Sequence, residues 1–221
     1  AVGITGHRGG NPALATDATR IADSLAGIFV EIEAGLAAEH ATTPTLTIQP
    51  TRLHTLLAHG VDQLAASEAS ALGWEIVAPL PFGRALNVAI NAQPHTHADG
   101  VALLAGGDAS DAAVQARAQG IRHWSDCARL FQLADRDEEI AALFEAMLAS
   151  PQDVVRARHF HAAAAAQAAL AGRVMVEQSD LLIGVWDNCS RDGVGGTGHT
   201  IVRALEIGMP VLLLDPARPE H

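Results

Sequence analysis

A glycine-rich segment at residues 193–198, GVGGTG, has the composition of a loop that binds an anion through its main chain. The apolar run 181–186 before it predicts a buried strand, and the pattern after it predicts a helix from about His199 to Ile207. A second apolar run, 210–215, completes a parallel crossover. Because the free N–H groups and the dipole of a helix N-terminus attract negative charge, the sequence predicts an anion site in this loop. The residues assigned to it are Gly195, Gly196, Thr197 and Gly198.

A second glycine-rich turn follows the strand predicted for residues 1–6. Its glycines allow the main chain to approach a ligand closely, Arg8 could bind a phosphate with two parallel hydrogen bonds, and His7 could donate to a ribose or phosphate oxygen. A tight turn with solvated His7 and Arg8 side chains is the alternative. Two such turns at strand ends suggest two walls of one cleft. The residues assigned to this wall are Gly6, His7, Arg8 and Gly9.

Other segments add polar and aromatic residues to the predicted cleft. Gly60 is expected at a turn and Asp62 at the start of the next helix, where Asp62 is either a ligand contact or an ordinary N-terminal carboxylate. The strand predicted from residue 74 ends in Pro81 and Phe82, which could form a wall for a stacked base. Asp187 stands at the carboxyl end of the strand at 181–186, where a carboxylate could bind a ribose hydroxyl.

The composition limits the classes of ligand. The net charge is −11, which argues against a protein that grips an extended nucleic acid, because phosphate contacts need clustered basic side chains. All 14 Lys and Arg residues are Arg, and the absence of Lys excludes a Walker-type phosphate loop and Schiff-base catalysis. Tyr is also absent, which removes another common acid. No apolar run is long enough to cross a membrane, and no secretory signal pattern is present, so a soluble, cytoplasmic protein is expected.

Neither the cysteines nor the histidine pairs predict a metal site. Cys127 and Cys189 are far apart in the chain and lack C-x-x-C spacing, so two free thiols are expected. The pairs His95/His97 and His159/His161 lack a Cys or carboxylate partner at ligand spacing, which favours solvated or hydrogen-bonded histidines. We therefore expect no metal and no cofactor.

The remaining pattern predicts an α/β protein with a Rossmann-like parallel sheet, helices on both faces, and one domain over residues 1–221. Further helices are expected at 17–39 and 62–72, with strands near 53–57 and at 74–82. A short strand is expected at 99–107. Residues 109–171 form a predicted helical insertion, with a break near Gly120 and a new helix after Ser150–Asp153; its apolar residues serve either the core or a homodimer interface.

Several motifs together resemble the SLOG superfamily, which includes the lonely-guy phosphoribohydrolases, the DNA-processing protein A fold and nucleotide-sensor domains. The resemblance covers most of the chain outside 109–171 and implies a nucleotide-derived ligand at the glycine loops. The residues that carry it are Gly6-His7-Arg8, Gly60-Val61-Asp62 with Ala65, Leu80-Pro81-Phe82, and Asp180-Leu181-Leu182 through Trp186-Asp187 to Gly195-Gly196-Thr197.

The sequence departs from the enzymes of that superfamily. Lonely-guy enzymes have P-G-G-x-G-T-x-x-E, whereas here Val194 precedes the glycine pair, Thr197 follows it directly, and Thr200 stands three residues later. Glu206 is the only acid on the predicted helix, and it vaguely resembles a residue of nucleoside deoxyribosyltransferases. No catalytic residue is assigned.

The function expected from these observations is the binding or sensing of a small nucleotide-derived ligand, a nucleotide or an ADP-ribose-like molecule, coupled to assembly or to a partner. The alternative is an enzyme that cleaves an N-glycosidic bond in a nucleotide or nucleoside. A third hypothesis is an interaction module that has lost the use of its pocket.

Overall fold

The computed structural model describes residues 1–8, 12–43, 45, 49–187 and 193–219, with main chain alone for 12–16. Within these ranges six parallel strands form one sheet with helices on both faces, which confirms the predicted α/β, Rossmann-like fold. The elements in chain order are β1 (Val2–Gly6), α1 (Pro12–Thr42), β2 (Arg52–His54), α2 (Val61–Ala71), β3 (Glu75–Leu80), α3 (Arg84–Ala92), α4 (His97–Leu104), α5 (Ala112–Cys127), β4 (Arg129–Gln132), α6 (Asp137–Ala149), α7 (Val154–Glu177), β5 (Leu181–Val185), α8 (Thr197–Glu206) and β6 (Val211–Leu214).

The strand order is β4-β3-β2-β1-β5-β6. The chain moves outward from β1 through β2 and β3 to β4, and then returns to place β5 on the other side of β1. Neighbouring loops at the carboxyl ends of β1 and β5 therefore run in opposite directions. This arrangement opens a crevice at the point where open α/β sheets bind their ligands.

The sheet buries apolar side chains on both of its faces, and β5 is an almost continuous apolar run. Ile4 of β1 and Ile183 of β5 are buried in one cluster with Phe29 of α1 and Val61 of α2. Phe29 also packs on Trp74, with ring centroids 4.7 Å apart. A separate cluster joins α3, α4, α5, α6 and α7. The helices of the segment predicted as a helical insertion thus share a core with α3 and α4, and the same segment contributes β4 to the sheet.

The crossover that was predicted from the glycine-rich segment is confirmed: β5, α8 and β6 occupy the expected places. The strand expected near 53–57 ends earlier, because β2 stops at His54. After it Leu57 takes a left-handed backbone with φ 55°, and the Thr55 hydroxyl accepts the Leu57 N–H at 3.1 Å. The sequence before β2 fits either a hairpin around Gln49-Pro50 or an extended lead into the strand, and residues 46–48 of that segment lie outside the described residues.

Two predictions for the middle of the chain are wrong. Residues 97–104 form helix α4 instead of a strand, because Thr96 accepts the Asp99 N–H at 3.1 Å and caps a helix N-terminus. Gly120 does not break a helix but lies inside α5, where a Cβ would come within 2.9 Å of Oε1 of Gln63. The sequence analysis also missed β4, a short strand at the sheet edge that pairs with β3.

Candidate functional site

A cavity of about 670 Å³ opens at the carboxyl edge of the sheet. The turn after β1 forms one wall, and the loop before α8 forms another, so the two glycine-rich segments are brought to one cavity. Residues after β2 and β3 and the facing sides of α3, α6 and α7 complete the lining. The volume falls within the range of small-molecule pockets, about 300–1,000 Å³, and the position matches the crevice beside β1.

The glycines of the loop before α8 have different roles. Gly195 has φ 75°, and a Cβ there would lie 2.5 Å from the Ala165 oxygen of α7. Packing and backbone angle therefore require glycine at this position. Gly196 has an ordinary φ of −86° and is the N-cap of α8, where it provides no side chain for capping. The N-terminus of α8 is consequently left without a side-chain cap from its N-cap residue, beside the cavity.

The turn after β1 is fixed by close packing against α2. A Cβ on Gly6 would lie 2.6 Å from the Val61 side chain, so the strand end can approach the helix only with glycine at this position. The Val61 N–H donates to the His7 carbonyl at 3.2 Å, and Arg8 forms an isolated antiparallel bridge with Gly60. These contacts hold the main chain of Arg8 at the cavity while its side chain remains exposed.

The guanidinium of Arg8 and the carboxyl group of Asp62 both line the cavity. Asp62 is only 6% exposed, and one of its oxygens accepts the Ala58 N–H at 3.1 Å. Burial raises the pKa of Asp62 from 3.8 to about 6, and this effect outweighs its hydrogen bonds and the attraction of Arg8, which lower it. Desolvation by neighbouring protein atoms lowers the pKa of Arg8 from its ordinary value, and the attraction of the Asp62 carboxylate partly offsets this decrease. Arg8 still carries its charge at neutral pH, because a guanidinium does not lose its proton in proteins.

His7 and Asp187 form a second polar pair behind the turn. Nε2 of the buried His7 lies 3.3 Å from Oδ1 of Asp187, and the main-chain N of Asp187 is also 3.3 Å from Nε2. This contact links the end of β1 to the end of β5. Asp187 was predicted as a ribose contact, but the structure places it beside His7 and outside the cavity lining.

Part of the cavity lining is apolar and aromatic. The side chains of Phe82, Phe144 and Phe160 are buried here together with Ile90, and the rings of Phe144 and Phe160 lie 5.3 Å apart. We call these four residues and Met147 the apolar chamber. Phe82 was predicted as a site residue. The other four residues were not, because they lie on helices whose apolar positions were interpreted as core.

Polar residues of the cavity were missed as well. Asn91 of α3 lines it and is 5% exposed, and its spacing from Asn87, one helical turn earlier in an otherwise apolar segment, was the available signal. His95 and His161 also line the cavity. No group of three or more potential metal ligands occurs among the described residues, so they do not complete a metal site in that part of the chain.

The predicted site residues thus fall into three groups. Those that line the cavity are Gly6, His7, Arg8, Asp62, Pro81, Phe82, Gly195, Gly196 and Thr197. Those placed beside it, outside its lining, are Gly60, Asp187 and Gly198. Gly9 and Cys189 lie outside the described residues. Glu206, considered in the enzyme alternative, also lies outside the lining and pairs with Arg203 at 3.4 Å on the exposed side of α8.

A scan against models of known protein families and a search of curated proteins both found no match to this chain. The resemblance to the SLOG superfamily therefore rests on the motifs alone and stays a prediction. Within the described ranges, no helix has the length and apolar character needed to cross a membrane.

Proposed function

We propose that the protein binds a small nucleotide-derived ligand, a nucleotide or an ADP-ribose-like molecule, across the carboxyl ends of β1 and β5. The observation that carries this proposal is the composition of one cavity at that point, which is lined by Arg8, the α8 N-terminus and the apolar chamber. A phosphate and a flat apolar ring are the two chemical groups that these parts would bind.

The anionic group has two sources of attraction. Arg8 offers several N–H donors in one plane, and a charge-assisted hydrogen bond of this kind contributes about 1.5–3 kcal/mol. The main-chain N–H groups at the start of α8, which the N-cap residue Gly196 leaves without a side-chain cap, add the favourable end of a helix dipole. Arg8 is the one Arg among the described residues that line the cavity, and the chain has no Lys, so we expect a ligand with one or two phosphates.

The net charge and the dimensions favour a small ligand over a polymer. A cavity of about 670 Å³ is of the size that encloses a mononucleotide, and a chain of net charge −11 repels an extended phosphate backbone.

The proposal includes coupling of ligand occupancy to assembly. Helix α8 begins at the cavity, and its far end presents apolar side chains to solvent: Val202, Leu205 and the following Ile207 are each 44–58% exposed. A ligand that orders the start of α8 would also order this surface, to which a second copy could bind.

The enzyme alternative has one observation in its favour. Asp62 is a buried carboxyl in the cavity with a pKa of about 6, and such groups are common among catalytic acids and bases. Cleavage of an N-glycosidic bond would need a carboxylate close to the sugar, and Asp62 is the acidic residue among the described residues that line the cavity.

A titration with a panel of nucleosides, nucleoside monophosphates and ADP-ribose separates these functions. Calorimetry would measure affinity, chromatography would measure released base, and sedimentation would measure mass with and without ligand. We expect a monophosphate to bind more tightly than its nucleoside, no base to be released, and the mass to rise. Turnover that is lost in Asp62→Asn would favour the enzyme, and failure of every compound to bind would contradict both functions.

A further inference from the structure

Asn91 is a polar residue that lines the same cavity as the apolar chamber. Asn91 is near the end of α3, adjacent in sequence to Ile90 of the chamber, and only 5% of it is exposed. An amide that is this deeply buried must satisfy most of its hydrogen-bonding atoms within the protein or with a ligand.

The hydrogen bonds of Asn91 determine which atom remains available. Its Nδ2 donates to the main-chain oxygen of Asn87 at 3.0 Å and lies 3.1 Å from the Asn87 side-chain oxygen. A main-chain carbonyl can only accept, so the nitrogen of the Asn91 amide must face Asn87. The oxygen has no protein donor within the described residues, and it is the atom that Asn91 can offer to the cavity.

Asn87 fixes this orientation of the Asn91 amide, although its own burial destabilises the folded protein. It is fully buried, its Oδ1 faces the Asn91 nitrogen, and its own Nδ2 has no hydrogen-bond partner within the described residues. A buried polar group without a partner is destabilising, so such groups in a folded protein require an explanation. Positioning of the Asn91 amide provides one, because two apolar residues would pack in this helix without an unsatisfied donor.

We propose that Asn91 determines specificity by accepting a hydrogen bond from an exocyclic amino group on the ring of the ligand, with Asn87 as the positioning residue. This inference rests on the proposed function. Adenine and cytosine both carry such an amino group, and an oxygen acceptor in an apolar wall discriminates strongly against a ring that lacks the donor, because the acceptor is then left buried and unpaired.

The test compares ligands that differ by the amino group alone. AMP is paired with purine riboside 5′-monophosphate, CMP with 2-pyrimidinone riboside 5′-monophosphate, and GMP, whose base also carries an exocyclic amino group, with inosine 5′-monophosphate. The dissociation constant of each is measured by calorimetry. In the wild-type protein we expect the deamino compound of one pair to bind about tenfold more weakly, which is the size of one net hydrogen bond. The pair that shows the difference identifies the base.

Variants then assign the effect to the residue. Asn91→Leu, which has a similar volume, should reduce the affinity ratio within that pair to about one. Gln119→Leu, which removes an exposed amide from α5, should leave the ratio unchanged.

The affinity ratio cancels any general loss of binding, and the wild-type comparison needs no variant to fold. Equal affinities within all three pairs would overturn this inference alone, and a ratio that persists in Asn91→Leu would overturn the role of Asn91. Failure of all six compounds to bind would refute the proposed function, and this inference with it.

Discussion

Arg8 supplies the positive charge of the cavity, and its contribution can be measured against that of the phosphate. We expect Arg8→Ala to weaken binding of a nucleoside monophosphate by about 1.5–3 kcal/mol and to leave the nucleoside nearly unaffected, because in the proposed binding mode only the phosphate contacts the guanidinium. Arg52→Ala is the matched control, since Arg52 lies at the opposite edge of the sheet and pairs with Glu75. Equal losses for nucleotide and nucleoside would show that Arg8 does not bind the phosphate.

The raised pKa of Asp62 predicts that the free energy of unfolding depends on pH. Its pKa rises from 3.8 in the unfolded chain to about 6 in the folded protein, so the folded state binds more protons between these values. Its contribution is therefore favourable below about pH 4, decreases as the pH rises, and is fully lost above about pH 6. At about 1.4 kcal/mol per pH unit, the change amounts to about 3 kcal/mol.

Urea unfolding at about pH 4 and pH 7 would measure this effect. We expect the free energy of unfolding of the wild-type protein to fall by about 2 kcal/mol relative to Asp62→Asn between these two conditions, because Asn cannot ionise. The comparison with the variant removes the contributions of the other carboxyl groups. A difference that does not change with pH would mean that Asp62 has an ordinary pKa.

Charged and glycine residues of the site could be predicted from the sequence, but its apolar residues could not. Arg8 and Asp62 stand out because a charge beside a glycine turn has few structural uses. Phe144 and Phe160 lie on helices at positions with ordinary core spacing, and that spacing is the same whether a helix faces a core or a cavity. Asn91 has a detectable signal, its four-residue separation from Asn87, which predicts a shared helix face without indicating what the face contacts.

At the scale of elements, the loop before α8 should separate folding from binding. Gly196→Val should abolish nucleotide binding, because the added side chain stands between the main chain and the ligand, while the fold loses no more than about 1–2 kcal/mol. Gly195→Ala should instead destabilise the fold, since its Cβ would clash with the Ala165 carbonyl of α7 and its φ is 75°.

Thermal unfolding and calorimetry on both variants would test this division. The two glycines are neighbours, so each variant is the control for the other. Normal nucleotide binding by Gly196→Val would place the ligand away from this loop, and full stability of Gly195→Ala would contradict the packing of the loop against α7.

Elements whose patterns are unambiguous were predicted, and those whose patterns fit two structures were not. The runs at 181–185 and 211–214 are apolar, bounded by turn residues, and separated by a helix, which allows one interpretation. The run at 99–107 is short and apolar, which fits a strand or a helix equally, and the Thr96 cap decides in favour of α4. Strand β4 was missed because an edge strand with an exposed Arg129 and Phe131 lacks the buried pattern.

At the scale of the whole molecule, the sheet order explains why the site is where it is. The sequence indicated parallel strands and glycine turns, but it did not indicate that β5 inserts beside β1 after the long excursion through β4. That pairing is a long-range contact, and it is specified by packing across the whole sheet and not by local pattern. It brings residues 6–8 and 193–197 to the same cavity.

The central claim is that this cavity binds the phosphate and the ring of one nucleotide-derived ligand in its two parts. The most direct test is an experimental structure of the protein with the tightest-binding nucleoside monophosphate from the panel. We predict that the phosphate contacts the Arg8 guanidinium and the main-chain N–H groups at the start of α8, and that the base lies in the apolar chamber with Phe82. A nucleotide bound elsewhere on the molecule, or bound here with its phosphate in the chamber, would contradict this account.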